Sequence, residues 1–227
     1  MSQRLNRFEL LVGKDKVSTL KNKVVLICGL GGVGGTCLES LARSGVGTFI
    51  IVDYDIVDVT NLNRQILFES ADIGLLKVNS ASEKLKRISQ DITIYSYPRK
   101  VDVSLLSILD KHQIDFAIDA IDSPLAKEIL IEYCLAHKIP FISSLGMANR
   151  LDPTAVRVGN LSDTKEDPLA KKMRLLLRRK LINLADIPVV YSFEKPLVSG
   201  PTLASVMNVP SAAGLALAYY CLENLLK

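Results

Sequence analysis

Six residues, Gly29-Leu30-Gly31-Gly32-Val33-Gly34, constrain the fold of this chain more than any others. They stand between an apolar run at residues 23–28 and a stretch of helical spacing at Gly32–Ser44. A strand that turns through glycines straight into a helix is the opening half of a strand–helix–strand crossover. Gly29 and Gly31 allow the tight turn and a close backbone approach, and Gly34 lets the helix lie against the strand. The first turn of such a helix offers unpaired N–H groups and a positive dipole end to phosphate.

The same alternation continues along the chain. Short runs rich in Val, Ile and Phe at residues 23–28, Thr48–Val52, residues 91–97, Phe116–Asp119 and residues 140–145 read as strands that are mostly apolar on both faces. Between them Gly32–Ser44, Lys77–Ile88 and residues 104–112 and 123–137 have helical spacing. The fold class expected is α/β: a Rossmann-like, doubly wound, mainly parallel sheet. Beyond residue 150 the pattern changes to a strand at 155–160, a helix capped by Asp167-Pro168, a strand at 189–192 and a last helix opened by Pro210-Ser211. This is a C-terminal α+β extension. No linker-like composition separates the halves, so residues 1–227 read as one domain with a lobe at 1–150 and a lobe at 151–227.

Ligands in doubly wound sheets sit beyond the carboxyl ends of the strands. Asp53, at the end of the second strand, reads either as a ribose ligand or as a turn acid, and its spacing from the glycine loop favours ribose. A hydride-transfer site has no evident use for Asn61 and Arg64 on the loop just beyond, whereas a triphosphate needs its leaving-group charge neutralised there. Asp55 and Asp58 remain ambiguous, one of them being a candidate cap for that loop. Lys77 opens a helix, where a cation opposes the dipole; a nearby anion would account for it, and an ordinary surface lysine is the plain alternative. Asp119 and Asp122 close the fourth strand, where a carboxylate can hold magnesium beside phosphate oxygens; Asp122 reads equally as a helix cap.

Composition removes several classes. The four cysteines form no C-x-x-C pair, which excludes the common structural zinc spacing and suits a reducing cytoplasm. The N-terminus lacks a signal-peptide apolar stretch. Residues 196–222 are uncharged, but Ser199, Gly200, Pro201, Asn208 and Pro210 break the run, so a buried loop and helix are expected and membrane association is not. His112 and His137 fall near helix ends, and no nucleophile–base constellation stands out. Phosphoryl and nucleotidyl transfer, which depend on positioning and charge neutralisation, need none. In residues 167–180, Lys171, Arg174 and Arg178 line the face opposite Leu169, Met173 and Leu177, either a solvated basic face or a contact for nucleic-acid phosphates.

Taken together, Arg4-x-Asn6-Arg7, the glycine loop, Asp53-x-Asp55, Asn61-x-x-Arg64-Gln65, Lys77 and Asp119-x-x-Asp122 resemble the ThiF/MoeB/HesA superfamily of adenylyltransferases, relatives of ubiquitin-activating enzymes. The resemblance implies an ATP site of Gly29, Gly31, Gly32, Gly34, Asp53, Asp55, Asn61, Arg64, Gln65 and Lys77, with Asp53 on the ribose. It further implies Mg2+ on Asp122, catalytic roles for Arg64, Lys77 and Asp122, and a homodimer in which Arg7 reaches into the partner's site. The shared reaction is adenylation of a carboxylate with loss of pyrophosphate. The second lobe, through Gly146-Met147-Ala148-Asn149, Leu151-Asp152-Pro153-Thr154 and Val190-Tyr191-Ser192-x-Glu194-x-Pro196, is similar to the tRNA threonylcarbamoyladenosine dehydratases. That similarity implies a tRNA substrate met by Lys171, Arg174 and Arg178, and raises a sulfurtransferase or desulfurase as a further partner. The rival readings are an activator of a ubiquitin-like sulfur carrier, an NAD-dependent oxidoreductase and a non-catalytic nucleotide-binding scaffold.

Overall fold

The computed structural model describes residues 3–200 and 202–227. Two short helices, α1 (Asn6–Val12) and α2 (Lys14–Leu20), lead into β1 (Val24–Cys28). There follow α3 (Gly32–Ser44), β2 (Thr48–Val52), α4 (Lys77–Ile88), β3 (Thr93–Tyr97), α5 (Val103–Leu109), β4 (Phe116–Asp119), α6 (Pro124–His137) and β5 (Phe141–Ser144). The chain continues through β6 (Val156–Asn160), α7 (Pro168–Arg179), β7 (Pro188–Ser192) and α8 (Asn208–Leu225). All seven strands form one sheet in the order β3-β2-β1-β4-β5-β7-β6, parallel except for the β6–β7 pair. The expected α+β extension therefore continues the main sheet, as β7 pairs in parallel with β5 through Ser143 and Ser144.

Strand alternation decides the two cores. Val25 and Ile27 of β1 face one apolar layer with Phe49 and Ile51 of β2, beneath α3, α4 and α8. Leu26, Cys28, Ile50 and Val52 face the other, under α5, α6 and α7. Phe49 and Phe116 are wholly buried, and truncating either to alanine costs about 3–5 kcal/mol. β3 departs from the expectation of two apolar faces. It is the edge strand, its Thr-Ile-Tyr-Ser-Tyr sequence alternates, and only its β2 side is paired.

Helix ends follow local chemistry. The Asp167 side chain caps α7 by accepting from Leu169 N and Ala170 N, and Asp102 caps α5 by accepting from Leu105 N. α8 starts at Asn208, two residues earlier than expected, because a proline in a first helical turn forfeits no helical hydrogen bond. It lies so close on α3 that a Cβ at Gly214 would stand 2.4 Å from Val33 O. Among the described residues no helix is long and apolar enough to cross a membrane.

The order β3-β2-β1-β4-β5 reverses direction between β1 and β4. That reversal opens a crevice beyond the strand ends, the place where doubly wound sheets take ligands. β1 ends at the glycine loop and β4 at Asp119, so the sequence motif lies at this point.

Candidate active site

The crevice floor is backbone. Gly29 has φ +89°, and a Cβ there would stand 2.5 Å from Ala120 O. A Cβ at Gly34 would stand 1.8 Å from Gly29 O, so only glycine lets α3 approach β1 this closely. Gly32 is hemmed in by Arg64 O and the Pro210 ring, each 3.0 Å from an added Cβ. Gly31 differs, since a Cβ there would meet only Gln65 Nε2, at 3.9 Å. Gly31 is also the N-cap of α3 and provides no side-chain cap, so the first-turn N–H groups face the open side of the loop.

Asp53 joins the glycine loop to the loop after β2. Its Oδ2 accepts from Leu30 N at 2.7 Å and its Oδ1 from Asp55 N at 2.9 Å. Each oxygen keeps a lone pair, so the carboxylate is fixed in place and still able to accept two vicinal hydroxyls. Burial pushes its carboxyl pKa up, against the two backbone N–H groups and Lys77, which pull it down.

The phosphate-side candidates come from one loop and one helix start. Lys77 is only 5% exposed, which removes the surface-lysine alternative. Its Nζ reaches Asp55 Oδ2 at 2.9 Å, so the anion beside this misplaced cation is Asp55. Asp58 is the loop cap: its Oδ1 accepts from Thr60 N and Oγ1, while Asn61 Oδ1 accepts from Asp58 N at 3.2 Å. These bonds hold Asn61 buried at the foot of the loop. Gln65 is 5% exposed, and its Oε1 has no hydrogen-bond partner among the described residues. Such a buried orphan beside an open glycine calls for a partner that the chain does not supply. Arg64 lies half-buried along the loop, donating to Thr60 O at 2.8 Å and Asn63 Oδ1 at 3.0 Å.

The two acids that end β4 separate. Asp119 is buried against Lys127 and Ser143, away from any solvent-borne ion. Asp122 is exposed and has no hydrogen bond or ion pair among the described residues. The cap of α6 is Ser123, which corrects the alternative reading of Asp122 as that cap. The phenol pKa of Tyr54 is raised chiefly by Asp55, then by burial, Asp122 and Asp53, so these three carboxylates converge on one rim. Lys100 Nζ sits 4.7 Å from the centre of the same ring. Among the described residues no three acids, histidines or cysteines come together to hold a metal ion by themselves. A lone exposed carboxylate suits Mg2+, which binds through one or two carboxylates together with substrate phosphates.

A glycine loop, a carboxylate fixed by two backbone N–H groups, a buried lysine and a free acid meet at one crevice, as a nucleotide site would require. The ThiF family pattern matches residues 2–172.

The chain belongs to the ThiF family.

The tRNA threonylcarbamoyladenosine dehydratase of Bacillus subtilis is 34% identical to it, with 100% of this chain and 96% of that protein covered. The crystal structure of the Escherichia coli enzyme TcdA in complex with ATP superposes with a TM-score of 0.93 at 29% identity, covering 99% of this chain and 94% of that one. The adenylyltransferase and sulfurtransferase UBA4 of Vanderwaltozyma polyspora is 34% identical, but over 57% of this chain and 30% of that protein.

In this ThiF-family chain two elements stand apart from the crevice contacts. Arg7 is exposed on α1 and has no hydrogen bond or ion pair among the described residues. Of the basic helix, Lys171 and Arg178 are exposed on α7, but Arg174 is half-buried and turned inward to Thr164 O, at 2.9 Å, and to Thr164 Oγ1. The expectation of three outward cations is corrected to two, because Thr164, on the segment before α7, lies within reach of the guanidinium.

Sequence reasoning passed over Arg150 and Lys127, and read Gly146, Asn149, Asp167 and Glu194 only as motif or cap residues. Arg150, nearly buried, donates to Gly146 O at 2.5 Å and Glu194 O at 2.9 Å, while Asp167 Oδ2 accepts from Gly146 N at 2.9 Å. Asn149, at φ +62°, donates its backbone N–H to Ala204 O, accepts from Ala204 N at its side-chain Oδ1, and accepts from Leu197 N at its backbone O. Asn63 Nδ2 holds Ser205 O at 2.9 Å. Leu197, Ala204 and Ser205 of the second lobe are thus tied to the first through Asn149 and Asn63. For Lys127 a signal existed: it shares the buried face of α6 with Leu130, Ile131 and Cys134, at helical spacing.

Proposed function

We infer that this protein is an ATP-dependent tRNA threonylcarbamoyladenosine dehydratase. It activates the threonyl carboxylate of threonylcarbamoyladenosine, next to the anticodon, with ATP, and the modification then closes to its cyclic form. The observation that carries this reading is the extent of the likeness: the dehydratase of B. subtilis matches the whole chain, second lobe included.

The chemistry asks the protein for positioning and charge. A carboxylate oxygen bonds to the α-phosphorus of ATP as the bond to the β-phosphate oxygen breaks, and pyrophosphate leaves. A nucleophilic atom of the modification then bonds to the acyl carbon and gives up its proton, and AMP leaves with the carboxylate oxygen. The lost water is accounted for in this way. In this reading Asp53 orients the ribose, the glycine loop and α3 N–H groups receive phosphate oxygens, and Asn61, Arg64, Gln65 and Lys77 meet the triphosphate. Asp122 would hold Mg2+, which when bound neutralises charge on the departing pyrophosphate. Ring closure is intramolecular, with high effective molarity, and needs no enzyme nucleophile. All four cysteines are buried, and burial pushes their thiols up, that of Cys134 to about 12, so none offers a thiolate for acyl transfer.

The same reading assigns residues 1–150 to nucleotide binding and residues 151–227 to tRNA and dimer contacts within one domain. Leu10 and Leu11, 88% and 79% exposed beside Arg7 on α1, support a homodimer through which Arg7 enters the partner's site. Lys171 and Arg178 are the tRNA-phosphate candidates on α7, and the work is cytoplasmic. The partial likeness to UBA4 supports the second reading, activation of a carrier protein, in which a sulfurtransferase takes part.

The experiment is a product assay. Protein, ATP, Mg2+ and tRNA bearing threonylcarbamoyladenosine should yield a nucleoside lighter by one water, and an 18O label in the carboxylate should appear in AMP. An unchanged nucleoside with active protein rejects the reading; pyrophosphate exchange that depends on a Gly-Gly-ended carrier favours the alternative.

A further inference from the structure

Lys127 is the one lysine of the described residues that is 0% exposed, and the adenylation chemistry makes no direct use of it. Its Nζ donates to Asp119 Oδ2 at 3.0 Å, Ser143 Oγ at 3.0 Å and Ser144 O at 2.6 Å. All three ammonium protons are thereby engaged. Ser143 Oγ in turn donates to Asp119 Oδ2 at 2.6 Å. The arrangement is not a serine–lysine nucleophile: Ser143 is buried, and its proton already goes to a carboxylate. A buried ion pair is also a poor way to stabilise a core, since apolar residues of similar volume usually do as well or better. A geometric role accounts for it.

That role lies in the other oxygen. Asp119 Oδ1 accepts from Ile121 N at 3.1 Å, and Ala120 N donates to Cys28 O at 2.9 Å. Together these bonds set the turn from Ala120 to Ser123. One side of the turn is the wall against which Gly29 is pressed, and its next residue is Asp122.

We infer that Lys127 is a positioning residue for the adenylation site: through Asp119 it fixes the turn that presents Asp122. This rests on the proposed dehydratase reading.

Three double or single variants separate positioning from support of the fold. In Lys127→Met/Asp119→Leu both charges leave together, and so does the acceptor for Ile121 N. AMP affinity, read by titration calorimetry, should stay within about threefold, while kcat for cyclic product falls by roughly thirtyfold or more, as misplacement by about 1 Å can cost about a hundredfold. Lys127→Met/Asp119→Asn also removes both charges but keeps an oxygen for Ile121 N, and should recover kcat to within about fivefold of the wild type. If the leucine pair does not fold, Ser143→Ala gives the same split in smaller form, with kcat about threefold lower at unchanged AMP affinity. Wild-type kcat in the folded leucine pair, an equal loss of kcat in the asparagine and leucine pairs, a parallel loss of AMP affinity and kcat, or an unchanged kcat in Ser143→Ala where that variant decides, overturns the inference. A wild type that binds AMP but makes no cyclic product rejects the dehydratase reading instead, so the two failures are distinct.

Discussion

Replacing Asp53 by asparagine keeps the shape of the side chain and removes its charge. In the free protein the two carboxylate oxygens each accept one backbone N–H, from Leu30 and Asp55. An amide oxygen can keep only one of these, and its NH2 then faces the other donor. Leaving one N–H unsatisfied costs about 1–3 kcal/mol, partly offset because a buried charge is no longer desolvated. A net loss of about 1–2 kcal/mol corresponds to a Tm drop of roughly 3–6 °C for a domain of this size. The effect on nucleotide is separate. One charge-assisted hydrogen bond to a ribose hydroxyl is lost, worth about 1.5–3 kcal/mol, so the Kd for AMP should rise roughly 10- to 150-fold. Calorimetry with AMP and with 2′-deoxy-AMP on both proteins closes a double-mutant cycle. The wild type should lose affinity for the deoxy ligand, and Asp53→Asn should lose little more. If both proteins lose the same amount, Asp53 does not hold the ribose. Acid adds an independent check. Burial raises the folded-state carboxyl pKa, so Asp53 favours folding while protonated and withdraws that contribution as pH rises through the raised value. Its ionised form is the one that accepts both hydroxyls, so AMP binding should weaken on acidification at a higher pH than an exposed aspartate would give, and Asp53→Asn should lack that limb.

Further outcomes are expected at the other charged groups. Lys77→Ala should leave Tm within a few degrees, since its partner Asp55 is half solvated, yet lower kcat roughly 10²- to 10³-fold, as removal of a transition-state donor does; a full kcat would return Lys77 to a structural role. Lys171→Ala/Arg178→Ala should reduce the slope of log affinity for tRNA against log salt by about 1.4–1.8, whereas Arg174→Ala should mainly lower Tm through its lost bonds to Thr164. An unchanged slope makes α7 an ordinary solvated face. Mixed Arg7→Ala and Asp122→Ala protomers should regain part of the activity that each lacks alone, and the absence of rescue argues against a shared site.

The parallel strands and their helices are readable because each strand is short, apolar and closed by a turn signal, and because helix caps such as Asp167-Pro168 act within a few residues. β3 misled because an edge position is a property of the whole sheet, which no local run encodes. The helices α1 and α2 have seven residues each, too few to show a helical period. At the site, the glycine loop and Asp53 are local chemistry and can be read directly. The Lys77–Asp55 pair, the burial of Asp119 under Lys127 and the inward turn of Arg174 each join residues that meet only after folding. Arg150 and Glu194, 44 positions apart, likewise declare themselves only through contact.

The cations of the crevice do not wait unpaired. Lys77 is engaged by Asp55, and Arg64 by Thr60 O and Asn63 Oδ1. A buried ammonium with no counter-charge is costly, and the Asp55 carboxylate offsets that cost. In the proposed reading nucleotide exchanges partners with these groups rather than simply adding to them, and part of the Coulombic gain is cancelled in ground-state binding. The glycine loop and Asp53 carry no such exchange, since their N–H groups and lone pairs are already aimed at the open side. The proposed reading then assigns binding strength to the ribose and the loop, and charge to the moment when pyrophosphate departs. Interactions realised only there raise kcat instead of merely lowering KM. In that reading Asp53 is the anchor, and Arg64 and Lys77, each already engaged by the chain, are the charges held for the transition state.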